Sequence, residues 1–361
     1  MRKQKRKQKQ KFYSIDNLLK ENAEYNILLG ERSNGKSYAV KEYCLTEAYK
    51  KGHKFILLRR WQIETKATNI EAYFADAPIR AITDGKCNAV TVYRGDIFAS
   101  HIEEDGTITK IKQLGKVLYL TGETHYKSMS FPEYCNVIYE EFITTDGYLP
   151  NEPTKLFSIV STIARRRKIR VFMIGNTMSR ICPYFTEWQL TNIPKQEQGT
   201  IDNYYMPTDQ VDENGNNVVV KISVEFCKNS GNNSKMFFGQ ASKMITSGAW
   251  ECVKKLHLDR KYNECKKLYS VTLQDNGFLY TLDLLVKPDK KYVVYGYPSK
   301  KKQTRCISDI ESLDYMQTRD FVPLTKGDEV MLKLLKIGNI AFCDNLTGTE
   351  ICDILNRKGV L

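Results

Sequence analysis

Residues Gly30 to Ser37 read G-E-R-S-N-G-K-S, and this spacing limits the fold more than any other feature of the chain. G-x-x-x-x-G-K-S is a phosphate-binding loop, in which backbone N–H groups cradle the phosphates, the lysine reaches the β and γ oxygens, and the serine hydroxyl meets Mg²⁺. Such a loop works between a buried strand and a helix. Tyr25 to Leu29 is a short apolar run bounded by polar residues, as a buried strand requires. Ser37 to Lys51 then repeats apolar residues at helical spacing through Ala39, Val40, Cys44, Leu45 and Ala48, ahead of Gly52. The expected fold is therefore α/β with a mostly parallel sheet. Gly30, Glu31, Arg32, Ser33, Asn34, Gly35, Lys36, Ser37 and Tyr38 are the candidate nucleotide-binding residues, with ATP and Mg²⁺ as the ligands.

A nucleotide-hydrolysing site also needs a strand that delivers carboxylates to the metal and to the attacking water. Cys135 to Phe142 reads C-N-V-I-Y-E-E-F. Its apolar, β-forming residues present Glu140 and Glu141 at the carboxyl end, where open α/β sheets hold ligands. Glu140 is assigned to Mg²⁺ and Glu141 to the water. The usual first carboxylate of this pair is Asp, so Glu140 carries one methylene more. A glutamate placed to polarise water argues against a kinase, which keeps such water away from the γ-phosphate. Arg170 to Thr177 predicts a further strand, whose Asn176 either senses the γ-phosphate or closes a turn. Arg165 and Arg166, within Ala164-Arg165-Arg166-Arg167-Lys168, either present a cationic finger to a nucleotide in a neighbouring subunit or form a solvated basic turn. Arg59, Arg60 and Lys127 are candidates to face DNA or a neighbour's phosphate.

Lys and Arg number 55 against 42 Asp and Glu, a net charge of +13, which favours nucleic acid over a membrane as partner. No apolar run approaches the roughly eighteen residues of a bilayer span, and the N-terminus lacks a signal-peptide core, so an intracellular protein is expected. The ten cysteines include no C-x-x-C and the four histidines are scattered, which reads as reduced core cysteines rather than zinc. The first twelve residues open with MRKQKRKQKQK, a disordered basic tail that either contacts nucleic-acid phosphates or aids solubility. The expected organisation is a P-loop ATPase domain over 13–235, with a β-hairpin insertion between Ala89 and Leu120, then a helical linker over 236–266. A small β-rich domain over 267–361 follows, with strands at Phe278–Val286, Lys291–Tyr297 and Asn339–Cys343 and a closing helix at Thr347–Lys358. In that domain Lys300, Lys301 and Lys302 favour binding nucleic-acid phosphates. Asp283, Asp344 and Asp353 are the candidates for a two-metal nuclease, but no dense acidic cluster accompanies them.

Four segments, LLGERSNGKSYAVK, FILLRRW, YKSMSFPEYCNVIYEEF followed by YLPNEP, and RKIRVFMIGNTMSRICPYF, resemble the DNA-encapsidation ATPases of small podoviruses, relatives of terminase large subunits. They cover most of residues 25–185, and FCDN with the helix near Asn345 to Arg357 is similar too. The resemblance implies an additional-strand, catalytic-glutamate (RecA-like) ATPase domain, a linker, and a small RNase H-like domain that has lost nuclease chemistry. It also implies a ring of identical subunits, five in number, docked on the portal of a procapsid in the host cytoplasm and driving double-stranded DNA inward with ATP. A packaging RNA is a further candidate partner. By position, Lys36 and Ser37 match the Walker A residues, Glu140 and Glu141 the Walker B pair, and Lys127 a basic position ahead of the Walker B strand. A trans-acting arginine belongs within Arg165 to Arg167. Three readings compete with the packaging motor: a complete terminase with an active nuclease, another P-loop motor such as a helicase, and a nucleic-acid-binding protein that holds nucleotide without hydrolysing it.

Overall fold

The computed structural model describes residues 13–31, 34–144, 147–177, 180, 182–211, 215, 217–228, 255–275, 278–301, 306–307, 325–357 and 360. The chain divides into two compact units. The first comprises Met1–Ile143, Tyr148–Thr177 and Lys195–Ala249, and the second Thr144–Gly147, Met178–Pro194 and Trp250–Leu361.

The first unit is built on a nine-stranded sheet of β1 (Tyr25–Gly30), β2 (Lys54–Arg59), β3 (Ala89–Tyr93), β4 (Asp96–Ile102), β5 (Ile108–Tyr119), β6 (Tyr134–Glu140), β7 (Arg170–Asn176), β8 (Thr200–Val211) and β9 (Asn217–Phe226). Across the sheet the order is β3-β4-β5-β2-β6-β7-β1-β9-β8. The central strands β5, β2, β6, β7, β1 and β9 are parallel neighbours, and the two edges are antiparallel. The expected hairpin insertion is only half separate: β3 and β4 form it, whereas β5 runs on as the parallel partner of β2. Every residue of β1 is buried, as are Phe55 to Leu58 of β2, because strands covered by helices on both faces carry continuous apolar runs. The strand β7 lies between β1 and β6, so one additional strand separates the loop strand from the glutamate strand. After the loop, the helix Lys36–Thr46 and the π-helical turn Glu47–Lys51 bury Ala39, Val40, Cys44, Leu45 and Ala48 in one core with Leu28, Phe55 and Leu57. Each large apolar side chain so buried contributes about 1.5–3 kcal/mol, which anchors the loop at both ends.

The second unit holds a five-stranded sheet of β10 (Lys266–Asp275), β11 (Phe278–Val286), β12 (Tyr292–Pro298), β13 (Cys306–Ile307) and β14 (Ile340–Phe342), in the order β13-β10-β11-β12-β14. The meander β10-β11-β12 is antiparallel and its two edge partners are parallel to it. Helices Lys326–Lys336 and Asn345–Arg357 cover one face, packing Met331, Leu335, Ile351 and Leu355 on Val271, Leu282 and Val294.

Two expectations about organisation need correction. Residues 255–265 do not continue a helical linker: apart from a 3₁₀ turn at Tyr262–Glu264 they are irregular, with His257 bridging to Phe342. Leu258 and Cys265 pack there on Leu285, Val293 and Ala341, so cover for an apolar sheet face outweighs helical propensity. Residues 236–254 and the tail 1–12 lie outside the described residues. Met178–Pro194, expected in the ATPase domain, belongs to the second unit. Arg180 explains this: its Nε donates to the buried carboxylate of Glu350 at 2.5 Å, and its guanidinium lies over the ring of Phe278. A buried carboxylate left without its cation is strongly destabilising.

Among the described residues no helix is long and apolar enough to cross a membrane. The cysteines among them are all free thiols, and Cys44, Cys87, Cys182 and Cys227 are buried, in line with core packing.

Candidate nucleotide-hydrolysis site

The loop is shaped by Gly35, which caps the following helix at φ 95°. That left-handed conformation costs an L side chain energy that glycine does not pay. Lys36, only 4% exposed, donates from Nζ to the Glu31 carbonyl at 2.5 Å and to Asn34 Oδ1 at 3.2 Å. Burial pushes its ammonium pKa down, opposed by the nearby thiol and carboxylates of Cys227, Glu140 and Glu31. Asn34 Nδ2 is a buried donor without a partner among the described residues. A desolvated ammonium and an orphaned amide donor in one loop are what a bound phosphate satisfies. Tyr13 packs against Gly35 and donates its phenol to Glu225 on β9 at 2.6 Å, closing one side of the loop. Tyr38 lies on the helix surface, and Arg32 and Ser33 lie outside the described residues.

The strand β6 brings Glu140 to the loop, where Ser37 Oγ donates to its Oε1. Its Oε2 accepts a 3.4 Å hydrogen bond from the Tyr73 hydroxyl. Desolvation raises the pKa of Glu140, and the Ser37 hydrogen bond and the charges of Arg59 and Lys36 oppose the shift. A serine hydroxyl beside a carboxylate is a hard-oxygen donor pair of the kind Mg²⁺ selects. Ser37 and Glu140 therefore fit the metal, and Lys36, Asn34 and the loop amides fit the phosphates. A metal held there would neutralise charge on a nucleotide's phosphoryl group.

Glu141 follows at φ 56°, a left-handed backbone that costs a non-glycine residue roughly 1–2 kcal/mol. The turn throws its carboxylate away from the core, 68% exposed, with Arg59 Nη1 at 3.9 Å. Arg60 holds the turn by donating to the carbonyls of Glu141 at 3.2 Å and Phe142 at 2.9 Å. Gly175 lets it pass, since a Cβ there would meet the Phe142 ring at 2.8 Å. On β7, Asn176 pairs in register with Gly30, and Thr177 N donates to the Gly30 carbonyl at 3.3 Å. Asn176 thus sits beside the loop on the added strand.

Several candidates do other work. Arg60 does not face DNA: it is buried against Glu152, whose carboxylate also accepts from Tyr139 and from the Leu149 amide. Arg59 leans over the Tyr73 ring at 5.5 Å toward the site, and its Nε is buried without a partner among the described residues. Arg165 and Arg166 precede β7 and so lie at its amino end, away from the loop at its carboxyl end. The structure does not join them to their own chain's loop. Arg165 donates to the Met129 carbonyl, and Arg167 staples the carbonyls of Phe131, Pro132 and Ile163. Arg166, at φ 71° and exposed, makes no hydrogen bond among the described residues. Lys127 is exposed, 4.0 Å from Glu123. In the second unit Lys300 and Lys301 lie on an exposed turn after β12 and Lys302 is outside the described residues. The nuclease candidates do not converge. Asp283 is fully buried under hydroxyl donors from Tyr262, Ser270 and Tyr297, and Asp344 caps the last helix through Thr347. Among the described residues no three His, Cys, Asp or Glu side chains group to hold a metal.

The profile of the podovirus DNA encapsidation protein (Gp16) matches residues 7–206, more than half of the chain. This chain belongs to that family. The chain is 29% identical over 183 residues to the DNA packaging protein of Bacillus phage PZA, half of each chain. It is 32% identical over 169 residues to that of Bacillus phage B103, 46% of this chain and 48% of the relative. It thus spans about half the length of the curated relatives it matches. A chain of the bacteriophage Phi-29 viral genome packaging motor assembly superposes with a TM-score of 0.50 at 20% identity, covering 96% of this chain and 99% of that chain. At that identity the likeness bears on the fold alone, an α/β unit with a large, mostly parallel sheet and a smaller β-sheet unit.

Proposed function

We propose that the chain is the ATP-hydrolysing subunit of a motor that drives double-stranded viral DNA into a procapsid. One observation carries this reading: Ser37 of the loop and Glu140 of β6 meet side chain to side chain, with Glu141 beside them on a strained, arginine-braced turn. That arrangement fits Mg²⁺-ATP and a water-polarising glutamate. Family membership and the packaging proteins it resembles support DNA as the cargo, and a charge of +13 suits sequence-independent phosphate contacts.

In the proposed mechanism the loop and Lys36 orient the phosphates, Ser37 and Glu140 hold Mg²⁺, and Glu141 takes up the proton of the attacking water. An arginine from a neighbouring copy completes the site. The working form is a ring of identical subunits, five by resemblance, at the portal vertex in the host cytoplasm, with a packaging RNA as a candidate partner. The buried, hydroxyl-bound state of Asp283 supports a second unit that binds nucleic acid and does not cut it.

The test is steady-state Mg-ATP hydrolysis by wild type and Glu141→Gln, each with and without long double-stranded DNA, followed by electrophoresis of the DNA. DNA-stimulated turnover that the substitution abolishes, with the DNA intact, is expected. Cut DNA would replace the proposal by a nuclease-bearing terminase, and turnover unaffected by Glu141→Gln would remove Glu141 from its role.

A further inference from the structure

We infer that Tyr73 is a positioning residue for the metal-binding carboxylate, and that it is what allows a glutamate to serve at position 140. The inference rests on the reading of Ser37 and Glu140 as the Mg²⁺ ligands. Glutamate has one more rotatable bond than aspartate, so its carboxylate explores more orientations, whereas Mg²⁺ demands near-octahedral oxygen geometry. The extra freedom has to be removed by something outside the ligand set.

In the structure both oxygens of Glu140 are engaged, Oε1 by the Ser37 hydroxyl and Oε2 by the Tyr73 hydroxyl at 3.4 Å. With the Ser37 hydroxyl given over to a metal, the phenol would remain as the donor to the second oxygen. Tyr73 is itself held from several directions. It lies in the last turn of the helix Ala67–Phe74, and the buried Lys41 ammonium lies 4.6 Å from its ring centroid while donating to its carbonyl at 2.7 Å. Asp76 pairs with the same ammonium. The Arg59 guanidinium lies 5.5 Å from the ring and Phe74 meets it edge-on at 4.9 Å. Cation–ring contacts strengthen when desolvated, so the ring has little freedom and its hydroxyl is delivered to one place. Partners that orient a metal ligand in this way typically govern metal affinity. Tyr73 touches neither metal nor phosphate in this scheme; it acts through Glu140.

The experiment isolates the hydroxyl from the packing of the ring. The full chain carrying Glu141→Gln, which prevents turnover, is titrated with a fluorescent ATP analogue over a range of Mg²⁺ concentrations. The same titration is run with Tyr73→Phe, with Glu140→Asp, and with both. Tyr73→Phe is expected to raise the half-saturating Mg²⁺ concentration roughly three- to ten-fold, the effect of one modest hydrogen bond, and to leave metal-free nucleotide affinity unchanged. In the Glu140→Asp chain it should add nothing, because the shorter side chain ends about 1.5 Å further from the phenol. An equal shift in both backgrounds, or none in either, overturns the inference. Glu140→Gln is the control: if Mg²⁺ dependence survives it, the assignment of Glu140 to the metal fails, whatever Tyr73 does.

Discussion

Arg60 and Glu152, 92 residues apart, form a buried two-pronged ion pair at 2.9 and 3.1 Å, and the same guanidinium carries the carbonyls of Glu141 and Phe142. One residue therefore neutralises a buried carboxylate and braces the turn that aims Glu141. Arg60→Met leaves Glu152 charged without a cation, which costs about 3–5 kcal/mol. Arg60→Lys keeps the charge but loses the planar fork. Arg60→Met is expected to lower the midpoint of thermal unfolding sharply. Arg60→Lys should stay folded yet hydrolyse ATP at least ten-fold more slowly at unchanged nucleotide affinity, read by melting curves and by separate kcat and KM. Normal turnover by a folded Arg60→Lys chain would remove the bracing role.

Glu140 predicts a pH dependence. Burial raises its pKa above the ordinary 4.5 because the charged form loses water. The folded chain therefore holds a proton there at a pH where the unfolded chain has released it. Ionisation of Glu140 thus penalises folding above its raised pKa, and that penalty fades as pH falls through it. Mg²⁺ needs the ionised form, so proton and metal compete. The half-saturating Mg²⁺ for nucleotide binding is expected to climb with acidification, starting above pH 4.5. Calorimetric titration across this range decides it, and a flat wild-type curve would contradict the raised pKa.

In the second unit, Asp283 accepts from Tyr262 at 2.5 Å, from Tyr297 at 3.1 Å and from Ser270. Removing it leaves those hydroxyls to find other partners, at about 1–3 kcal/mol for a buried group left unpaired. Asp283→Ala should lower thermal stability without altering hydrolysis by the first unit. If Asp283 were instead a nuclease ligand, wild type would cut DNA in Mg²⁺ or Mn²⁺ and Asp283→Ala would not; a gel distinguishes the two.

The loop, its flanking strand and helix, and the Glu140–Glu141 strand were legible in the sequence because each is a local pattern: a fixed glycine–lysine spacing, or an apolar run ending in two acids. The rest is set by distant partners. Nothing near Arg60 announces that Glu152 will bury it, although Glu152 lies in the YLPNEP segment and starts a helix beside a proline. Tyr73 sits in an ordinary amphipathic helix, and only the fold brings it to Glu140. The composition of 255–265 permits helix, and packing on Leu285 and Val293 decides otherwise. Met178–Pro194 follows directly on β7, so proximity in sequence favours the first unit, whereas Arg180 pairs with Glu350 in the second.

The two arginines ahead of β7 are separable. Arg165 is tied to the Met129 carbonyl at 2.7 Å, whereas Arg166 is exposed on consecutive left-handed residues, at φ 40° and 71°. A strained, solvent-facing cation that cannot reach its own loop suits action on a neighbour's nucleotide. Arg166→Ala should reduce turnover by the assembled, DNA-bound form by about 10³-fold, the scale of an arginine finger, while leaving nucleotide binding by isolated subunits intact. Arg165→Ala should act more weakly, through the Met129 loop. Mixing Arg166→Ala subunits with Lys36→Ala subunits supplies the decisive case. If the arginine acts across the interface, some sites in the mixture pair an intact loop with an intact Arg166, and turnover returns above that of either variant alone. If it acts within its own chain, every site lacks one element and the mixture stays inactive.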